Sequence, residues 1–271
     1  MLSSNSLEGK VALVTGGAGM LGIQHAIALL DIGATVYLGD NNQDKLAEAS
    51  KHLSKYKNCK TVFLDVTSKK SILDAHSNIL NESGRFDILI NNAGIDSKVG
   101  TQGLKENSRF ENFELENWNF EISVGLTGAF LCSQVFGSYM EKHGGGIILN
   151  IASDLSVISP DQRIYQKENT PSDMQPVKPV TYSVIKTALI GLTKYLATYW
   201  AKSNIRVNAL SPGGIYNSQP SEFVNKLTNL IPLNRMANID EYRGHIQFLC
   251  SDSSRYMTGQ NLIADGGRSV W

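Results

Sequence analysis

The chain has 271 residues, 42% hydrophobic and 18% charged, with Lys+Arg and Asp+Glu at 25 each and zero formal net charge. That composition suits a globular chain with ample core, and the charge balance argues against nucleic acid or an anionic membrane as a partner. Met1 to Gly9 lacks the apolar core of a signal peptide, and no apolar run approaches the roughly 20 residues needed to span a bilayer. Cys59, Cys132 and Cys250 are widely spaced, which fits reduced thiols in a cytoplasmic protein. The five histidines form no ligand-spaced pair, so no metal site is expected.

In chain order, Lys10 to Val14 reads as a short apolar strand running into the glycine-rich stretch Thr15 to Gly22. A helix is predicted from Met20 to Leu30, closed by Gly33. Gly17 to Gly22 satisfies Gly-x-Gly-x-x-Gly between a strand and a helix. That context lets bare backbone approach a pyrophosphate at a helix N-terminus, the dinucleotide fingerprint. A ligand-free strand-to-helix turn is the plainer alternative.

The next strand, Thr35 to Gly39, ends on Asp40, near the spacing at which an acid takes the ribose hydroxyl. A carboxylate there repels a 2′-phosphate, and Asn41 and Asn42 bring no positive charge, so NAD(H) is expected over NADP(H). Asp40 could instead cap the following helix.

Thr61 to Leu64 and Asp87 to Ile90 are further strands, ending on Asp65 and on Asn91-Asn92-Ala93-Gly94. Strands alternating with helices imply an α/β fold: a doubly wound parallel sheet with helices on both faces, three layers in all. No linker or repeat marks a second domain, so residues 1–271 read as one unit.

Ile95 to Phe113 reads as a polar surface excursion, Leu115 to Met140 as a long helix, and Ile147 to Ala152 as a strand. Asp154 to Val180 holds four prolines and no useful periodicity. Loops of that length inside a domain are commonly functional or disordered. Within the helix that follows, Tyr182 and Lys186 stand four apart and share a face. A free phenol has a pKa of about 10, and a neighbouring ammonium favours its ionised form, making it a usable acid/base at an alcohol or carbonyl. Alone, Tyr-x-x-x-Lys is a weak signal. Ile205 to Leu210 is a strand, 212–235 a polar segment that could cover the site, Glu241 to Cys250 a helix, and Asn261 to Ala264 the last strand.

Thr15 to Gly22, Asp65-Val66, Asn91 to Gly94, Asn150-Ile151-Ala152-Ser153, Tyr182 to Lys186, Ser211-Pro212-Gly213 and Asp265-Gly266-Gly267 together resemble the short-chain dehydrogenase/reductase family, over nearly the whole chain. The resemblance implies a seven-stranded Rossmann fold, a homodimer or homotetramer, and hydride exchange between NAD(P) and an alcohol or carbonyl. It makes Tyr182 the acid/base, Lys186 its activator and ribose contact, and Ser153 the partner of the substrate oxygen. Gly16, Gly17, Gly19, Met20 and Leu21 would line the phosphates, with Asp40 and Asn41 at the ribose. Asp65 and Val66 would meet the adenine, Asn92, Ala93 and Gly94 the adenosine ribose, and Pro212, Gly213 and Ile215 the nicotinamide.

Three positions depart from the family pattern. Met20 stands where glycine is usual, the middle glycine falling one place earlier at Gly19. Gly125 replaces an asparagine that disturbs the long helix and holds a water in the proton path. Glycine could allow a similar distortion but supplies no amide, so a relay of backbone and water is expected. Asn217 replaces a threonine beside the nicotinamide amide, a tolerable exchange.

The connection from Ser153 to Tyr182 is about twice the family's usual length and carries Asp161, Gln162, Arg163, Tyr165, Lys167 and Lys178. Polar walls suit a hydroxylated substrate. An oligomer contact or a mobile excursion is the competing reading. Val124 to Phe130 and Pro212 to Asn217 are also similar to members named for flagellin or surface-glycan modification, which points to a sugar, sugar phosphate or nucleotide-sugar. A dinucleotide-binding regulatory or scaffold subunit without turnover is the alternative from another class.

Overall fold

The computed structural model describes residues 5–95 and 107–271. Seven strands form one parallel sheet: β1 Val11–Thr15, β2 Thr35–Asp40, β3 Cys59–Phe63, β4 Ile88–Asn91, β5 Gly146–Ile151, β6 Ile205–Pro212 and β7 Asn261–Ala264. Their order across the sheet is β3-β2-β1-β4-β5-β6-β7, as the doubly wound expectation requires. Between β1 and β4 the winding reverses, with Ala12 beside Ile88 and Val14 beside Ile90. Such a reversal opens a crevice at the carboxyl ends of the strands, where ligands of open α/β sheets bind.

The strands alternate their side chains between two apolar layers, as a period of two dictates. Ala12, Val14, Val36, Leu38, Ile88, Ile90 and Leu149 face α1 Met20–Leu30, α2 Gln43–His52 and the short α8 Arg243–Leu249. Leu13, Tyr37, Leu89, Ile148 and Val207 face α3 Lys69–Ser83, α5 Gly128–Lys142 and α6 Val180–Tyr199. Both faces of the sheet are covered, which is why its strands read as nearly continuous apolar runs. Cys132 and Cys250 lie fully buried in these layers, and burial pushes both thiols up to about 12.

The long helix predicted before β5 is interrupted. α4 Leu115–Ile122 passes into a π-helical turn, Ser123–Thr127, and then into α5. Gly125 sits buried at the middle of that turn, so the distortion expected of glycine there is present. By length and composition alone the run Leu115–Lys142 could cross a membrane. Cys132, Phe136 and Met140 nevertheless pack completely against the sheet.

Most of the predicted excursion at Ile95 to Phe113 lies outside the described residues, and its end holds a single turn, Phe110–Asn112. Residues 154–179 contain only short 3-10 turns, as the absence of periodicity implied, and α6 begins at Val180. The segment 212–235 instead contains a helix that its polar composition concealed, α7 Ser221–Thr228.

Candidate active site

β1 carries Thr15 to the mouth of the crevice, and the chain turns through Gly16 to Gly19 into α1. A side chain on Gly22 would overlap the Gly16 carbonyl oxygen, and one on Gly17 would lie 2.8 Å from both Leu38 Cα and Val14 O. Gly17 is therefore needed for close packing against β2 and does not line the cleft, whereas Gly16, Gly19, Met20 and Leu21 do. α1 begins at Gly19 without a side-chain cap and without an acid in its first turn. Uncapped amides at a helix start present donors and positive potential to an anion. A dinucleotide pyrophosphate fits this cradle of bare backbone.

Asp40 ends β2 with Oδ2 accepting from Ala18 N at 3.3 Å and Oδ1 from Asn42 N at 3.1 Å. The cap of α2 is Asn42, whose side chain accepts from Lys45 N at 2.9 Å, so Asp40 is not the capping residue. Lys45 lines the same cleft as Asp40, a cation that the reading from sequence had not considered. Asn41, Asp65 and Val66 line an adjoining hollow that shares Gly16, Asp40, Ala93 and Gly94 with the cleft.

The turn after β4 is latched to the glycine turn. Asn92 Nδ2 donates to Thr15 O at 2.9 Å and Gly16 O at 3.2 Å, while Asn92 N and Ala93 N both donate to Thr15 Oγ1 at 3.0 Å. Asn92 thus spends its amide on holding backbone. Behind it, Asn91 Nδ2 donates to Asn150 Oδ1 at 2.8 Å and Asn150 Nδ2 to Thr193 Oγ1 at 2.8 Å, a buried polar chain joining β4, β5 and α6.

α6 and the end of β5 supply the candidate reactive groups. Ser153, Tyr182 and Lys186 all line a single shared cleft of about 570 Å³, together with Pro212, Gly213, Ile215 and Asn217. Lys186 Nζ donates to Ile151 O at 2.8 Å and lies 5.7 Å from the Tyr182 ring centre. A Cβ on Gly94 would come within 3.8 Å of that nitrogen. Lys178 Nζ, brought in by the long connection, stands 3.8 Å over the same ring. The sequence separation of Ser153, Tyr182 and Lys186 is thus closed by the fold.

Two side chains at this end were missed in the sequence. Asp154 is buried beside Ser153; its Oδ1 accepts from Ser153 Oγ at 2.8 Å and from Leu155 N at 2.9 Å. Its Oδ2 accepts from Arg268 Nη1 at 2.7 Å, the two side chains being 4% and 8% exposed. Both line the cleft. The available signal was arginine directly after Asp265-Gly266-Gly267.

The long connection is less polar toward the cleft than expected. Asp161 and Arg163 pair with each other at 2.6 Å, with Arg163 81% exposed, and Lys167 N donates to Gln175. Of the six polar or aromatic residues anticipated as walls, Tyr165 and Lys178 reach the cleft. Ile164 packs instead with Leu227, Ile231 and Met236 beneath α7, joining the connection to the cover over the site. The cleft is apolar on that side and polar along Ser153, Asp154, Tyr182, Gln219 and Arg268.

The model of the family described as short chain dehydrogenase matches residues 10–165, and one described as enoyl-(acyl carrier protein) reductase matches 172–269. A 2-dehydro-3-deoxy-D-gluconate 5-dehydrogenase of Bacillus subtilis is 34% identical over 273 residues, covering 97% of this chain and 95% of that protein. A 3-oxoacyl-[acyl-carrier-protein] reductase of Thermotoga maritima is 33% identical over 269 residues, covering 96% and 98%. The crystal structure of a gluconate 5-dehydrogenase from Burkholderia cenocepacia in complex with NADP and tartrate superposes with a TM-score of 0.85 at 27% identity, covering 100% of this chain and 99% of that one.

Proposed function

The chain belongs to the short-chain dehydrogenase/reductase family, and we propose that it is an NAD(H)-dependent oxidoreductase that interconverts an alcohol and a ketone or aldehyde on a polar, sugar-like substrate. The observation that carries this reading is the convergence of Ser153, Tyr182 and Lys186 on one cleft that begins at an uncapped helix start. A nicotinamide dinucleotide bound there would take up or give back the hydride. The chain's own groups handle the proton and the geometry.

In the oxidative direction the substrate C–O–H bond loses its proton to the Tyr182 oxygen as the carbon–oxygen double bond forms. Lys186 supplies positive charge on the same helix face and is fixed by its bond to Ile151 O. Ser153 Oγ gives its only proton to Asp154 and receives Leu155 N at 3.2 Å, so it has a lone pair left for a substrate hydroxyl. To donate to a carbonyl in the reverse direction, it must turn away from Asp154. The π turn at Gly125 supports a proton path built from backbone and water in place of an asparagine amide.

Asp40 supports NAD over NADP, since its carboxylate would face a 2′-phosphate; Lys45 is the counterweight. The sugar-acid dehydrogenases among the relatives support a hydroxylated substrate, and the likeness of Val124 to Phe130 to surface-glycan members suggests the setting. We extend the proposal to a cytoplasmic homodimer or homotetramer, as is common in the family.

The test is reduction of NAD⁺, followed by absorbance, over a panel of polyols, sugar acids and sugar phosphates, with Tyr182→Phe as control. Turnover abolished in the variant with NADH binding retained supports the proposal. NADH binding without turnover of any member, in either direction, supports the scaffold reading.

A further inference from the structure

Arg268 is 9% exposed, lines the cleft, and sits at the end of a chain segment shaped to bring it there. After β7 the backbone passes through two consecutive left-handed residues, Gly266 at φ 67° and Gly267 at φ 89°. Only glycine adopts such a pair without strain. Side chains there would also press on Ile231 and Pro232, at 2.7 and 2.9 Å. Asp265 clamps the turn by accepting from Gly267 N at 2.9 Å and Ser269 N at 2.8 Å. The guanidinium is thereby carried back over the sheet to Asp154, next to Ser153.

One nitrogen of that guanidinium is committed. Nη1 donates to Asp154 Oδ2, and no hydrogen bond joins Nε or Nη2 to any described residue. Asp154 is supplied with donors on both oxygens, from Ser153, Leu155 and Arg268. Asp161, a further carboxylate that feels Arg268, is held by Arg163 at 2.6 and 2.8 Å. Neither Nε nor Nη2 of Arg268 is sealed from solvent, and the flat two-donor edge they form on a cleft-lining side chain matches a carboxylate.

We propose that Arg268 is the anchor for a carboxylate on the substrate, so that the substrate is a hydroxy or keto acid of the sugar-acid kind. This rests on the oxidoreductase reading above and narrows it. A monoanion fits better than a phosphate dianion, because Asp154 already places a negative charge on the same guanidinium. Asp154 then has two duties, steadying the anchor and holding Ser153 at the reacting oxygen. Carboxylate and reacting carbon are fixed with respect to each other through one side chain.

The experiment compares acids with their neutral counterparts: D-gluconate with sorbitol, and tartrate with threitol. Binding to the full-length protein loaded with NADH is measured by calorimetry, and NAD⁺ reduction is measured in parallel. The parent is expected to bind the acids at least 10-fold more tightly than the polyols. Arg268→Gln should erase that difference while NADH affinity stays within about 2-fold.

If the parent fails to discriminate, binds neither class, or loses acid and polyol equally in Arg268→Gln, the anchor is overturned. Should Arg268→Gln melt early or lose NADH, Arg268→Lys is read instead. It keeps the charge and an Asp154 contact without the two-donor edge, and about a 10-fold loss confined to acids is expected; an unchanged or equal loss overturns the anchor. Acid discrimination without turnover would sink the oxidoreductase reading alone, and turnover of polyols without acid preference would sink the anchor alone.

Discussion

The two ends of the cleft are built by different means. At the cofactor end, residues 11–94 supply mostly main chain: an uncapped helix start, a turn latched by Thr15 and Asn92, and one carboxylate at Asp40. At the substrate end, side chains arrive from three distant stretches: Ser153 and Asp154 after β5, Lys178 and Tyr182 on either side of the start of α6, and Arg268 behind β7. A backbone site tolerates exchange of side chains so long as close approach is preserved. A side-chain site depends on each residue and on the loops that deliver it.

The largest expected effect separates the two ends. Tyr182→Phe should lower kcat/KM by about 10³-fold, within the range for a positioned acid/base, while NADH affinity is retained. A parallel loss of NADH affinity would mean that the two ends are not separable.

Next comes the cofactor-side core. His25 in α1 is completely buried, and neither ring nitrogen has a partner. Burial, with Lys186 adding to it, pushes its pKa down to about 3. The unfolded chain takes up a proton below about pH 6.5, so native stability is intact above that and falls between pH 6.5 and 3. His25→Leu should remove that contribution, sparing on the order of 3 kcal/mol at about pH 4. Denaturant midpoints of parent and variant across this range check it, and parallel curves would refute it.

Asp40→Ser should shift the NADP/NAD ratio of kcat/KM by about 10-fold or more toward NADP, because a like charge facing the 2′-phosphate is removed and Lys45 remains. An unchanged ratio would show that Asp40 serves only to hold Ala18 and Asn42.

The smallest effect lies at the end of the 212–235 segment. Glu241 clasps Arg235 through two bonds of 2.7 Å, and that pairing, with the bond from Asn238 N, lowers its pKa to about 2. This contribution is present above about pH 4.5 and disappears as pH falls toward 2. The pair is well exposed, so Glu241→Gln should cost less than about 1 kcal/mol, read from melting curves at neutral pH.

The same contrast explains what could be read in the sequence. Short apolar runs in β1, β2 and β4 and the glycine spacing after β1 are local patterns, so the parallel sheet, α1 and the glycine turn between β1 and α1 were legible. Tyr182 and Lys186 share a helix face and announced themselves likewise. Asp154 and Arg268 are far apart in sequence and meet only when β5 and β7 flank β6, and neither lies in a periodic stretch. Polar residues at 161–167 suggested a wall, yet Asp161 and Arg163 satisfy each other at the surface while Ile164 turns inward. Composition shows which side chains are present without showing which way an aperiodic loop turns them. α7 was hidden for the same reason, its apolar Phe223, Val224 and Leu227 being few among polar neighbours.

Gly125 has a further consequence. A Cβ at that position would lie 2.8 Å from Ile185 Cγ2, and Ile185 directly precedes Lys186. The missing methyl therefore sets how deeply α6 nests against the helix before it. Any residue larger than glycine would tend to lift the phenol and the ammonium together, altering the reach between the reactive oxygen and the cleft floor without touching either group. Gly125, which brings no side-chain amide, thereby serves as a spacer whose thickness, a single hydrogen atom, bears on the depth of the reacting pair.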